Sequence, residues 1–275
     1  MDVAVEQRAR GAAAAWTPGV LARGLGRNLL PIVGLVAVWE ALSRLGLVHP
    51  RLLPGPSVVL GTLWDLARQG LLVQDVYWSL RRLLLSSALG MSAGVVLGIV
   101  MGKSRLAELA LVPPIQFILS IPGVAILPIA ILWFGLTETT VIAVLTLETA
   151  VTVAVNAWTG VKTVDATLLN AARTLGSRGA DLFLRVLLPA SLPSIIAGFR
   201  QGMSRAWRVL VAGEMVAASQ FGLGYRVFEA QEFFHADVMY AGVVTVGLLG
   251  FALERLLFRS LEVFTVERWG VMREL

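Results

Sequence analysis

The chain has 275 residues, 57% of them hydrophobic and 15% charged, with a formal net charge of +5 and no cysteine. A soluble domain is nearer half apolar and a quarter charged, so this composition belongs to an integral membrane protein, whose length does not count soluble domains. Without cysteine there are no disulfides and no thiolate metal sites. The two histidines, His49 and His235, have no ligand-spaced partner, and the arginines are scattered along apolar flanks rather than gathered on one soluble face, which excludes a metal centre and a nucleic-acid surface.

A membrane span takes about 20 mostly apolar residues. Residues 1–28 carry Arg8, Arg10, Arg23 and Arg27 ahead of the first apolar run. No small-residue cleavage site follows, so the N-terminus reads as a tail leading into an uncleaved span rather than a secretory signal. Six spans are expected, at about 29–48, 79–102, 107–133, 139–160, 192–218 and 238–258. Between the first two, Pro54-Gly55-Pro56-Ser57 is a turn entering an amphipathic helix, with Ser57 as N-cap and Leu60, Leu63, Trp64 and Ala67 at helical spacing. That helix is expected on the bilayer surface or on the bundle.

The third expected span holds Pro113, Pro114, Pro122 and Pro128. An internal proline removes a backbone donor and clashes with the preceding turn, so this helix must break or kink. Irregular backbone at membrane depth survives only where protein or a watery cavity covers it. Ile121-Pro122-Gly123 is therefore expected inside the bundle, either as a plain kink or as part of a pathway.

Orientation follows from Lys and Arg. With the N-terminus in the cytoplasm, segments 1–28, 103–106, 161–188 and 255–275 lie inside and hold four, two, four and four cations, against Arg51, Arg68 and Arg226 outside. The loop 161–189 then faces the cytoplasm. Asp165 is a good N-cap for a helix over about 166–175, Leu168, Leu169, Ala172 and Leu175 form one apolar stripe, and Gly176 is a natural left-handed stop. A second short helix should run on toward Pro189. Two helices of about ten residues are marginal in water unless they dock. Gly98-Ile99-Val100-Met101-Gly102-Lys103-Ser104 mimics a phosphate loop but has three residues between its glycines where that loop has four, and reads as helix packing.

Charges at membrane depth cost about 2.5–3.5 kcal/mol each on insertion scales and default to functional hypotheses. The fifth expected span carries Arg200, Arg205, Arg208 and Glu214, and the fourth carries Glu148. At 100° per residue Arg205 and Arg208 share a helix face. That face either lines an anion pathway or pairs with Glu148 to hold spans four and five together; one carboxylate cannot neutralise both arginines, which favours the pathway. Arg81 and Arg82 start the second span and can snorkel to the interface. Gly198 and Gly202, four apart, allow close helix packing.

Asn170-Ala171-Ala172-Arg173-Thr174-Leu175-Gly176, then after nine residues Val186-Leu187-Leu188-Pro189, resembles the cytoplasmic loop of bacterial ABC-importer permeases. Asn170 stands where that family usually has Glu, and Val186 where it usually has Ile. Leu53-Pro54-Gly55-Pro56-Ser57, Ser79-Leu80-Arg81-Arg82, the run Ile126 to Gly135, Gly198-Phe199-Arg200, Ala206-Trp207 and Val211-Ala212-Gly213-Glu214-Met215 resemble the branch importing nitrate, bicarbonate, taurine and alkanesulfonates. Arg200 and Glu214 fit the family pattern; Arg205, Arg208 and Glu148 depart from it.

The resemblance implies an all-α type I importer permease of about six transmembrane helices with a cytoplasmic coupling helix. It implies a cytoplasmic tail over 1–28, a permease domain over 29–260, a cytoplasmic tail over 261–275, and a bacterial inner-membrane location with both termini inside. Its partners would be a second copy of the chain, two ATPase subunits, an extracytoplasmic binding protein and the lipid bilayer. The chain itself would be non-catalytic and need no cofactor. Asn170, Ala171, Ala172, Leu175 and Gly176 would contact the ATPase, with Asn170 offering a neutral hydrogen bond in place of an ionic one. Arg200, Arg205, Arg208, Glu148, Glu214 and Trp207 would line the pathway for a small anion or organic acid. Two other readings stand: the same machinery importing a neutral or cationic nutrient, and a stand-alone ion-coupled transporter using Glu148 and Glu214 as proton sites.

Overall fold

The computed structural model describes residues 18–49, 51–217 and 220–258, with side chains from residue 30 to 255. The expected tail 261–275 and the first 17 residues of the tail 1–28 lie outside them. The described residues are helical apart from short turns: α1 (Pro18–Arg44), α2 (Pro56–Arg68), α3 (Leu71–Lys103), α4 (Arg105–Ser120), α5 (Gly123–Phe134), α6 (Glu138–Lys162), α7 (Ala166–Thr174), α8 (Gly179–Leu182), α9 (Leu188–Ala217), α10 (Leu223–Glu232) and α11 (Ala236–Ala252). By length and composition four could cross a membrane: α3, α6, the continuous helix Gly179–Ala217 and Ala236–Arg255. A fifth is added if α4 and α5 form one bent span. The expected first span falls in α1, whose side chains are described only from residue 30 onward.

The middle of the bundle is α6, flanked by α3 and α9. Its two seams are made by glycine. On α3, Gly90, Gly94, Gly98 and Gly102 repeat every fourth residue, so they form one stripe along the helix. A Cβ built on Gly94 would lie 2.5 Å from the Ala150 carbonyl oxygen, and one on Gly98 2.5 Å from the Ala157 Cβ. No larger residue fits without separating the helices. On the other side, Gly198 of α9 lies against Asn156, Gly202 against Thr149, and Gly160 of α6 against Ser194, the close approach expected from the Gly198/Gly202 spacing. Leu83, Leu127, Val141, Leu145, Met203 and Leu210 fill the core between the three helices and α5.

The proline-rich third segment breaks at one place. The α4 and α5 axes turn by 102° across Ile121 and Pro122, whereas Pro113 and Pro114 sit inside α4 and Pro128 inside α5. Proline also fails to end a helix further on. The expected second short helix of the loop is not separate from the fifth span, because α8 runs through a π-turn, Phe183–Leu187, into α9. The wider turn lies just ahead of Pro189, where an α-helical carbonyl four residues back would meet the ring.

Near the start of the chain, Ser57 is not the N-cap of α2. Gly55 holds that position with Pro56 next. Ser57 instead donates its N–H and hydroxyl to the Glu40 carboxylate, at 3.0 and 2.8 Å, so the orphan donors at the helix start are satisfied from α1. The buried face of α2 is Val59, Leu63 and Leu66, set against Ala241 of α11, and Leu60 and Trp64 point outward.

Candidate functional site

The loop after α6 builds a short, exposed helix. The Asp165 side chain accepts the Thr167 N–H at 2.7 Å, the expected N-cap. These hydrogen bonds hold the Asp165 carboxyl below the usual aspartate range. At the other end the Gly176 N–H donates to the Arg173 carbonyl and the Ser177 N–H to the Ala172 carbonyl, both at 3.0 Å. This is the paired-bond C-terminal motif that needs a left-handed residue, and Gly176 has φ +95°. No residue of α7 is buried. Leu175 is 88% exposed, and nothing lies within 4 Å of a Cβ built at Gly176. Asn170, Ala171, Ala172, Leu175 and Gly176 therefore share one projecting element, none of them buried among the described residues. The Asn170 side-chain oxygen Oδ1 accepts from Arg173 Nη1 at 3.3 Å.

The charged residues of α9 open onto a cavity of about 640 Å³, lined by Pro122, Gly123, Glu148, Arg200, Gln201, Ser204, Arg205, Arg208, Val209 and Glu254. The five polar α9 residues at 200, 201, 204, 205 and 208 follow helical spacing, which puts them on one face. The broken helix, together with Glu148 of α6, supplies the wall opposite. Arg205 touches both parts of that wall. Its Nε lies 3.7 Å from a Glu148 oxygen, and its Nη2 donates to the Leu119 carbonyl at 3.3 Å. Leu119 is in the last turn of α4, where carbonyls lose their helical donors, so Arg205 satisfies backbone freed by the break. Glu148 reaches the first turn of α5: a Cβ on Gly123 would lie 2.4 Å from its Oε1. A carboxylate is favoured at that helix end, and only glycine leaves it room.

Arg208 is placed differently. Its Nε donates to the Ser204 carbonyl of its own helix at 3.3 Å, and among the described residues no carboxylate pairs with it. Arg200 meets Glu254 at 2.9 Å. Glu254 was not anticipated from the sequence, although it falls in the expected span 238–258 and the rule that flags Glu148 applies to it equally. It lies in a π-turn at the end of the last helix, Leu253–Phe258. Trp207 lines a second cavity of about 280 Å³ beside the first, with Leu83, Met203, Ser204, Arg208, Gly250, Leu253 and Glu254.

Glu214 lies away from both cavities. Its side chain is fully buried and accepts from Arg82 Nη1, the Ser79 hydroxyl and the Gly224 N–H at 2.8, 2.8 and 3.0 Å. Arg82, expected to snorkel, is instead 2% exposed and also donates to the Phe221 carbonyl at 2.7 Å. The Asp75 carboxylate takes the Gly222 N–H at 3.1 Å and Arg226 Nε at 2.8 Å. Together these bonds tie the segment 221–226 to α3. Arg81 reaches Glu138 at the surface.

The family described as binding-protein-dependent transport system inner membrane component matches residues 94–261. A protein of Brucella melitensis described as a probable ABC transporter permease is 41% identical over 234 residues, covering 85% of this chain and 94% of its own. The taurine transport system permease protein TauC of Escherichia coli is 34% identical over 239 residues, covering 85% and 86%. Among solved structures, the inward-facing MetNI methionine ABC transporter covers 70% of this chain and 94% of its own, with a TM-score of 0.59 at 20% identity; at that identity the likeness is one of fold.

Proposed function

Because the chain belongs to the family of binding-protein-dependent transport inner-membrane components, in the branch of sulfonate, taurine and bicarbonate permeases, we propose that it forms the membrane path of an ATP-driven importer for a small anion. It is a multi-pass inner-membrane subunit of ABC-transporter type and not a catalytic one. In this reading two copies face each other, and separate ATPase subunits hydrolyse the nucleotide. An external binding protein delivers the cargo, and α7 with Gly176 fits into the ATPase from the cytoplasmic side. An uncovered nine-residue helix supports that role, since such a helix needs a partner to be stable.

The anionic cargo rests on one observation: Arg200, Arg205 and Arg208 line a single cavity beside the broken helix. A guanidinium presents a planar fork of donors to carboxylate or sulfonate oxygens. The proton-site alternative is weakened by the closed pairing of Glu214 with Arg82. The test is purification of the complete assembly from membranes, followed by transport into proteoliposomes. An ATPase and a binding protein that co-purify, with uptake of taurine, nitrate or bicarbonate, support the reading. Uptake of a pyrimidine or an organic cation with none of the anions refutes the anion part, and ATP-independent uptake by the chain alone refutes the whole.

A further inference from the structure

Arg205 holds the corner of the broken helix from both sides. Its Nη2 donates to the Leu119 carbonyl in the last turn of α4. Its Nε faces one oxygen of Glu148, and the other Glu148 oxygen abuts Gly123 in the first turn of α5. The two grips differ in strength. The first is a hydrogen bond; the second, at 3.7 Å, is longer than one. Among the described residues Arg205 is the cation paired with Glu148, whose side chain is only 6% exposed. A carboxylate so deeply placed is weakly held by one loose contact. Nε and Nη2 also form one edge of the guanidinium, the kind of edge that an oxyanion takes with two oxygens. Glu148 therefore stands where one oxygen of a bound anion would.

We infer that Glu148 is a resident counter-anion, a positioning residue that an arriving anion displaces from Arg205, and that the displacement releases the corner between α4 and α5. Two anions cannot share one guanidinium edge, because like charges at that range repel. The arriving anion makes two short charge-assisted bonds where Glu148 makes one long contact, so it takes the edge. Glu148 keeps its place at the start of α5, where a carboxylate is favoured, and α5 loses this tie to α9. Nη2 has a second N–H, so the Leu119 carbonyl stays attached. One arm of the corner is then held while the other is free to turn. A neutral molecule of the same shape cannot displace a carboxylate, so the corner answers to charge. This rests on the reading of the arginine cavity as the transport path.

The chain has no cysteine, so Phe117→Cys in α4 and Leu132→Cys in α5, both at exposed positions, place spin labels on the two arms of the corner. Full-length labelled protein, diluted with unlabelled protein in nanodiscs, is measured by double electron–electron resonance. The probes are methanesulfonate and its neutral isostere methanesulfonamide, and calorimetry follows binding. Methanesulfonate is expected to shift the distance distribution, and methanesulfonamide to leave it in place. Glu148→Gln should bind methanesulfonate about fivefold more tightly, the upper range for a partly exposed ion pair, and should show the shifted distribution before any anion is added. If that variant does not fold, Gly123→Ala supplies the second arm. Its Cβ would meet Glu148 Oε1 at 2.4 Å, which pushes the carboxylate aside with every charge retained, and the shifted distribution should again be present without anion. The latch alone is overturned if unmodified protein binds methanesulfonate with the corner unmoved, if methanesulfonamide shifts it equally, or if either variant keeps the unmodified distribution. Absence of methanesulfonate binding overturns the reading of the cavity, and the latch with it.

Discussion

Arg82 and Glu214 lie 132 residues apart in the chain, yet the guanidinium nitrogen and the carboxylate oxygen meet at 2.8 Å with both side chains sealed from solvent. A charge pair in that position is stabilising only if its remaining polar atoms are also satisfied. Ser79 and the Gly224 N–H do this for Glu214; on Arg82 the Phe221 carbonyl takes a second bond from Nη1, while the buried Nε has no hydrogen-bond partner and lies 4.0 Å from a Glu138 oxygen. The pair fastens the turn between α9 and α10 to α3.

Removing one partner should therefore be costly. Glu214→Ala is expected to destabilise the protein by about 3–5 kcal/mol, seen as a melting temperature in detergent lower by roughly 10 °C. The double change Arg82→Met with Glu214→Leu should recover most of it, because no lone charge is left buried. A melting temperature within a degree or two of the unmodified protein for Glu214→Ala would show that the pair holds nothing together.

Two arginines on one face should behave differently. Arg208→Gln is expected to lower anion transport about 10- to 100-fold, the loss of a charged hydrogen bond of about 1.5–3 kcal/mol, with yield and melting unchanged. Arg205→Gln should lower transport and also the yield of folded protein, because Arg205 serves Glu148 and the Leu119 carbonyl. Equal stability loss in both variants would contradict this division of roles.

Gly176→Val should uncouple transport without loosening the bundle. A β-branched residue is strongly disfavoured at φ +95°, while nothing packs near the position. Gly176→Asn should be milder, since Asn tolerates the left-handed region. The readout is cargo-stimulated ATPase activity of the assembled complex, alongside melting. Normal stimulation in the Val variant would show that the turn is not needed.

The cap on α7 should carry a pH signature. The Asp165 carboxyl is held below its ordinary value by the hydrogen bonds from Thr167. A depressed folded-state value means that the stabilisation is fully present above about pH 4, the ordinary aspartate range, and is lost as pH falls through the depressed value. Amide exchange in α7 should accelerate over that acid range in the unmodified protein relative to Asp165→Asn measured at the same pH, since Asn caps without titrating. Parallel behaviour of the two would remove Asp165 from the cap.

The glycine seam permits a paired comparison. Gly98→Leu should fail to give a folded protein, with Ala157 and the Ala154 carbonyl already within 2.6 Å of a bare Cβ. Gly61→Ala on α2 has open space within 4 Å and should gain about 0.4–1 kcal/mol. Melting in detergent distinguishes them, and tolerance of Leu at 98 would mean that α3 and α6 are not held at backbone distance.

Features set by neighbouring residues were legible in the sequence. The stop at Gly176 and the Asp165 cap depend on residues within a single turn, and the break at Ile121-Pro122 follows from the proline ring. Features that join distant segments were not. Nothing near residue 57 indicates that Glu40 will take its donors, and nothing near 82 points to 214. Arg200, Arg205 and Arg208 could be grouped because one helix carries them, but Glu254 belongs to the cavity only through the packing of the last helix beside α9. Glu214 shares the α9 sequence with the arginines, and only the path of the segment 221–226 sets it apart. Pro189 misled for a reason of its own: a π-turn ahead of it removes the clash by which proline normally ends a helix.

The stripe of glycines at 90, 94, 98 and 102 also limits how the molecule can move. Two helices meshed backbone to backbone at every turn behave as a keyed shaft: they can turn together, but one cannot creep along the other, because any slip short of a whole turn of about 5.4 Å drives the residues between the glycines into the opposing helix. Rearrangements that open one side of the bundle and close the other must then carry α3 and α6 as one stiff beam and bend at the joints, the 102° corner between α4 and α5 and the π-turn leading into α9.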